Sequence, residues 1–256
     1  MSGASSKNYR AVVSINEMDN LFEDPQMILP VDVLHRFQKV LRLRDGADIE
    51  LLDGTGRLIK GFLRIMKNQG AIANAEVIRE SPEEPPLWLA QALIRPNKLE
   101  PLIQKATEMG VTRILLWEAE RCESRWYGDK DHKKKIRLEK IALEATRQSG
   151  RNVAPRIDGP LQSADFEAIL KGDPCDWFVG SPQAEQWLSG SLTNFSTKMS
   201  RPLGVIIGPE GGLGLDELEG LRALEVRPVR FSPHILRTET AAFPFLCAVQ
   251  WLRGRL

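Results

Sequence analysis

From Leu87 onward the chain alternates short apolar runs with amphipathic stretches, and this alternation restricts the possible folds more than any other feature. "LWLAQALI" at 87–94 is apolar almost throughout, as expected of a strand covered on both faces. "NKLEPLIQKATEMG" follows with helical periodicity. Its Asn97 and Glu100 are spaced for a capping box, and Gly110 is placed to end the helix. "VTRILLW" predicts a strand and "KKKIRLEKIALEATRQSG" a helix, with Leu138, Ile141, Ala142 and Ala145 on one face and Gly150 as its stop. Strands "DWFVG" and "LGVII", helix "DELEGLRAL", strand "VRPVRF" and a last helix within "TETAAFPFLCAVQWLRG" complete the series. Such a series predicts an α/β fold with an open parallel sheet and helices on both faces. Its one weakly structured insertion is "PQAEQWLSGSLTNFSTKMS".

Ahead of Leu87 the pattern is different. "ADIELLDGTGRLIKGFLRI" alternates apolar and polar residues around Asp53-Gly54-Thr55-Gly56, a tight hairpin signal. "PVDVLHRFQKVLRL" reads as a short amphipathic helix with Val33, Phe37, Val40 and Leu41 on one face. Short strands, a hairpin and one small helix predict a compact β-barrel, an architecture often used for binding. "RESPEEPPL", charged and proline-rich, reads as the linker, which gives domains 1–79 and 80–256.

Charge and thiols exclude several classes. Thirty-five basic residues against 34 acidic ones leave a net charge of +1, too little to coat nucleic acid by bulk charge. Any RNA contact must come from patches: Arg36, Lys39, Arg42 and Arg44; "KDHKKKIR" at 130–137; and Arg147, Arg151 and Arg156. Cys122, Cys175 and Cys247 form no C-x-x-C pair, and His35, His132 and His234 are scattered, so neither a disulfide framework nor a metal centre is expected. No apolar run is long enough to span a bilayer, "MSGASSKNYR" lacks the apolar core of a secretory signal, and the odd number of scattered thiols suits a reducing cytoplasm, where the protein is expected.

Two dense polar stretches follow predicted strands. In "IGPEGGLGLDELEGL" (207–221) a core strand runs into glycines at 208, 211, 212 and 214 and the bare carboxylate of Glu210. In open α/β sheets ligands sit outside the carboxyl ends of the strands, and glycines let backbone amides approach them. Asp216 with Glu219 is spaced to cap the next helix. The stretch is neither a Walker A loop nor G-x-G-x-x-G, and Glu210 would repel phosphate, so a neutral or cationic ligand is expected. "SPHILRTETAAFPF" (232–245) crowds Arg237, Thr238, Glu239 and Thr240 before an apolar helix. Thr238 or Thr240 could cap that helix, and Pro244 requires it to start nearby or kink.

"IGPEGGLGLDELE" and "ILRTETAA" together resemble the bacterial enzymes that methylate N3 of one uridine in small-subunit (16S) ribosomal RNA, members of the knotted SPOUT superfamily of S-adenosylmethionine-dependent methyltransferases. "HRFQKVLRLRDGADIELLDGTG" resembles that family's PUA-like front barrel, and "LIQKATEMGV", "ERCESR" and "EKIALEATRQSGR" its middle motifs. The resemblance implies a C-terminal deep trefoil knot, an exception to unknotted topology. It also implies S-adenosyl-L-methionine as methyl donor, a homodimer, and 16S ribosomal RNA as partner, with no metal and no membrane. Carried over, the donor-binding residues are Gly180, Ser181, Ile207, Gly208, Pro209, Glu210, Gly211, Gly212, Ile235, Leu236, Arg237, Thr238, Thr240 and Ala241. Before "ILRTETA" the relatives usually carry Gly-x-Arg where this chain has Ser232, Pro233 and His234.

The substrate dictates the rest of the expectation. N3 of uridine carries a weakly acidic proton on the pairing edge, so the base must be unpaired or extruded. Arg237 is the candidate cation for the developing anion, and Glu239 or Glu210 the proton acceptor. Arg36, Lys39, Arg42, Arg121, Arg125 and Arg151 are the candidate RNA contacts. Two alternatives stand beside this one: a nucleotide-using α/β enzyme, and a non-catalytic RNA-binding or ribosome-assembly protein that retains the fold.

Overall fold

Alternating side chains and a self-bonding turn build the first sheet. The structure, a computed structural model, describes residues 9–67, 69–81, 85–126, 130–192 and 201–256. The N-terminal residues, linker positions 82–84 and insertion positions 193–200 lie outside these. The chain forms two units: residues up to 82 with 143–154, and 83–142 with 155–256.

In the first unit, β1 (Tyr9–Val12), β2 (Asp48–Leu52), β3 (Arg57–Ile65) and β4 (Gly70–Arg79) form a sheet in that order. β1 runs parallel to β2, and the other pairs are antiparallel. The expected hairpin is present, with Leu52 opposite Leu58. Its turn is made by Asp53, whose Oδ1 accepts from the Thr55 amide (2.8 Å) and hydroxyl (2.7 Å). Among the described residues a closed barrel is not observed: the pairings form an open four-stranded sheet, with isolated bridges from Ile28 to Ala71 on β4 and from Thr55 to Val153. Helix α1 (Ile15–Glu23), absent from the sequence expectation, begins with a Ser14–Glu17 capping box. Helix α2 (Val31–His35) continues into a wider turn over 36–40, where the Leu41 amide reaches back five residues to the Arg36 carbonyl (2.9 Å). That extra residue rotates Val40 off the expected apolar face: Val33 and Phe37 are buried, Val40 is 67% exposed.

The second unit is built on a six-stranded sheet. β5 (Leu87–Ala92), β6 (Arg113–Trp117), β7 (Arg156–Leu161), β8 (Asp176–Gly180), β9 (Leu203–Ile207) and β10 (Arg227–Val229) lie in the order β10-β8-β9-β5-β6-β7, every pair parallel. The connecting helices are α3 (Pro96–Glu108), α4 (Lys130–Ser149), α5 (Ser163–Gly172), α6 (Leu188–Leu192), α7 (Leu215–Ala223) and α8 (Thr238–Leu252). β7 is hidden in the sequence because Asp158, Gly159 and Pro160 break the apolar run that marks the other strands, and α6 stands in the stretch expected to be weakly structured, with Leu188 and Leu192 buried. The capping box expected from Asn97 and Glu100 is absent. α3 starts at Pro96 without a side-chain cap, and Glu100 instead takes two bonds from Arg137 on α4 (2.6 and 2.9 Å).

The strand order locates a crevice. The chain leaves β5 toward β6 on one side of the sheet and leaves β9 toward β10 on the other, so β5 and β9 flank the switch point where ligand sites form.

Candidate functional site

Outside the carboxyl ends of β5, β8, β9 and β10 lies a cleft of about 640 Å³, a size that suits a nucleoside-sized ligand. Two bends form most of it. The first, 208–214, turns on a Gly212 amide bond to the Pro209 carbonyl (3.0 Å), with Gly212 at φ +70°, where other side chains are strained. It ends at Gly214, which caps α7 and donates its amide to Glu217 (2.8 Å). The cap pair is therefore Gly214 and Glu217, not Asp216 and Glu219. The other oxygen of Glu217 accepts from the Glu120 amide (2.8 Å), fixing the loop after β6 beside the first bend.

The second bend, 230–238, leads into α8. Thr238 is no cap here, since α8 begins after Arg237 without a side-chain cap bond. Its buried hydroxyl donates to the Gly208 carbonyl (2.6 Å) and accepts from Gln91 Nε2 on β5 (3.1 Å), tying three elements together. Ser232 Oγ accepts from the His234 amide (3.1 Å), so the serine shapes its own turn. α8 runs through Pro244 as one helix.

Of the predicted donor-binding residues, Gly180, Ser181, Ile207, Gly208, Pro209, Glu210, Gly211, Gly212, Ile235, Leu236, Arg237, Thr238 and Ala241 all line the cleft. Thr240 does not; it sits exposed on the first turn of α8. Glu210, Glu239 and Arg237, the candidate chemical groups, are brought together there. Arg121 also lines the cleft, its guanidinium 3.4 Å from the Gly211 carbonyl, whereas Arg125 donates to the Glu120 carbonyl (3.4 Å) and does not line the cleft. In the first unit Lys39 and Arg42 are exposed, Arg36 faces Glu144 at 3.8 Å, and Arg151 falls in the 143–154 segment.

Sequence reasoning missed Lys98 and Arg230. Lys98, on the first turn of α3, places Nζ 3.3 Å from Glu210 Oε1 and 3.6 Å from Glu239 Oε2. The strand-end rule points to it, since it follows β5, whereas its periodicity marks it only as a helix residue. Arg230 lies over the Trp187 ring, 5.3 Å from its centroid, just after β10.

The charges are layered. Lys98, Glu210 and Glu239 have side chains only 28, 24 and 23% exposed, while Arg237 is 82% exposed and 3.9 Å from Glu239. The sheltered group is therefore acidic two to one, and Arg237 adds positive charge at the exposed side. Glu239 Oε2 is buried without a hydrogen bond, and the charge nearest to it among the described residues is Lys98 Nζ at 3.6 Å. With apolar Ile207, Leu213, Phe231 and Leu236 alongside, these residues fit a nucleoside carrying positive charge better than one carrying phosphates. Burial pushes the thiols of Cys122 and Cys175 up, which removes both as thiolate nucleophiles. Among the described residues there is no group of three metal-ligating side chains and no helix long and apolar enough to cross a membrane.

Residues 82–250 match the model of a family described as an RNA methyltransferase domain. A ribosomal RNA small subunit methyltransferase E from Mycobacterium tuberculosis (strain CDC 1551 / Oshkosh) is 32% identical over 219 residues, 84% of this chain and 82% of that one. Its counterpart from Bacillus subtilis (strain 168) is 31% identical over 244 residues, 91% of this chain and 94% of that one. Among solved structures, a Legionella pneumophila protein in complex with its bound cofactor SAM matches with a TM-score of 0.73 at 25% identity, over 95% of this chain and 96% of that one.

Proposed function

Since the chain belongs to the ribosomal RNA small subunit methyltransferase E family, we propose that it methylates ribosomal RNA of the small subunit with S-adenosyl-L-methionine as donor, at N3 of one uridine. The observation that carries this reading is the cleft at the switch point, where a sheltered acidic pair and a buried unbonded carboxylate oxygen would suit a sulfonium. The donor, when bound, supplies an electrophilic methyl group.

The chain's own residues supply the rest. Backbone groups of Gly208–Gly212 and the apolar Ile207 and Leu236 would hold the nucleoside part. Glu239 Oε2, without a hydrogen-bond partner, is the better placed acceptor for the N3 proton, and Glu210 is the alternative. Arg237, reaching outward, would meet the uracil oxygens as negative charge develops. As N3 gained the methyl carbon, the methyl–sulfur bond would break to leave a neutral thioether and the N3 proton would pass to the carboxylate, so that charge is conserved. Pre-alignment in a narrow cleft contributes much of the rate.

The wider reading has its own supports. Exposed Lys39 and Arg42 in the first unit, and Arg121 at the cleft, support phosphate contacts, with Arg36, Arg125 and Arg151 in the same role and residues 1–79 as a PUA-like module. For a deep trefoil knot within 80–256, the support is β9 entering between β8 and β5. The last helix, α8, also bonds to the Gly208 and Met109 carbonyls through Thr238 and Gln250. Exposed Trp251 (68%) and Leu256 (72%) near the end of α8 support a homodimer. A cytoplasmic location follows from the substrate.

Nucleoside mass spectrometry of small-subunit ribosomal RNA from cells lacking the protein tests this. One 3-methyluridine per molecule should disappear and return with the intact gene; unchanged 3-methyluridine refutes the assignment.

A further inference from the structure

We infer that Lys98 sets the charge of the cleft toward the methyl donor, and so governs how strongly the protein prefers the sulfonium donor over its neutral thioether product. This rests on the donor-binding reading above and deepens it. Glu210 and Glu239 come from different elements, one from the bend after β9 and one from the first turn of α8. Among the described residues the side chain that joins them is Lys98, with Nζ 3.3 and 3.6 Å from their oxygens. Arg237 cannot stand in for it, because it is 82% exposed and touches only the far oxygen of Glu239, at 3.9 Å.

Two consequences follow. Lys98 holds two like charges at one place, and without it their repulsion would move the elements that carry them. Its charge also offsets one of the two carboxylates, so the sheltered trio sums to one negative charge, and to two if a neutral side chain replaces the lysine. Donor and product differ by one positive charge, so the ratio of their affinities reads the local field, whereas a general loosening of the fold weakens both alike.

The experiment is calorimetry on the full chain with S-adenosylmethionine and S-adenosylhomocysteine, for wild type, K98M, K98R and E210Q, with methyl transfer measured alongside. K98M should raise the donor-to-product affinity ratio about fivefold, E210Q should lower it by a similar factor, and K98R should leave it within about twofold. Methyl transfer by K98M should fall about tenfold although donor still binds, and K98R should recover most of it. If K98M does not fold, E210Q, which changes the same charge in the opposite sense, decides. An unchanged ratio in the folded variants, with both ligands bound by wild type, overturns the role of Lys98 and leaves the donor site standing. Failure of wild type to bind either ligand removes the donor reading and this inference together.

Discussion

Acidic side chains are used differently in the two units. In the first sheet Asp53 is fully covered: both oxygens are taken, by the Thr55 amide and hydroxyl and by Arg57 Nε at 2.5 Å. Glu50, also buried, lies 3.0 Å from Arg10 and 3.4 Å from Lys60. In the cleft, Glu239 has, among the described residues, an ammonium at 3.6 Å and a loose guanidinium at 3.9 Å, and its Oε2 has no hydrogen bond. An acid satisfied by its own turn is committed to the fold; one left short of partners is available to a ligand. Commitment has a cost in the first sheet, where burial pulls the Arg10 guanidinium below its usual value despite Glu50 beside it.

This contrast can be broken by exchanging the expected phenotypes. Replacing Glu239 with Gln should lower methyl transfer about 10³-fold, measured by methyl incorporation into ribosomal RNA, while thermal unfolding stays close to wild type. Asp53→Ala should do the reverse. It strips Arg57 and the hairpin of their shared acceptor and should destabilise the chain by about 3 kcal/mol in urea unfolding, with methyl transfer per folded molecule unchanged. If the Glu239 variant melts early and remains active, or the Asp53 variant is stable and inactive, the division between fold acids and site acids is wrong.

The same contrast explains what the sequence alone could carry. The apolar runs of β5, β6, β8 and β9 and the Asp53-Gly54 hairpin are local patterns, and they survive folding. So does the polar crowding after β9 and before α8, which marks the cleft because strand ends meet there. What could not be read depends on partners far along the chain. Glu100 satisfies a capping pattern on paper, but Arg137 claims it, and Pro96 starts α3 unaided. Thr238 looks like a helix cap and serves as a tie to Gln91 and Gly208. Lys98 is an ordinary helix residue until β9 and α8 bring two carboxylates to it. Val40 fits a regular helix and is exposed only because the helix widens by one residue.

Thr238 sharpens the comparison because it is a fold residue inside the site. Valine has nearly its shape but cannot donate to the Gly208 carbonyl or accept from Gln91, which still keeps the Ala92 carbonyl at 3.0 Å. Thr238→Val should cost about 1.5 kcal/mol of stability. Unlike Asp53→Ala it should also weaken donor binding, because the bond it removes aligns the two bends. Unfolding and calorimetry on one sample check both; normal donor affinity in the destabilised variant would show that the bends hold their geometry without it.

The smallest expected effect belongs to a fold carboxylate that is only half sheltered. Glu144 accepts from Arg147 Nε (2.9 Å) and Gln148 (3.2 Å), with Arg36 3.8 Å away. Arg147 first, then Gln148 and Arg36, hold its carboxyl below the usual range against the opposing effect of burial. A carboxyl held low when folded stabilises the protein above the unfolded carboxylate range, and that stability is lost as pH falls through the folded value. Glu144 is 46% exposed, so solvent screening keeps its contribution under about 1 kcal/mol. Wild type should therefore melt slightly above Glu144→Gln at pH 7 and together with it near pH 3, with the gap narrowing in high salt. A gap that widened in acid would mean that Glu144 is stabilised in its protonated form, the opposite of a paired fold acid.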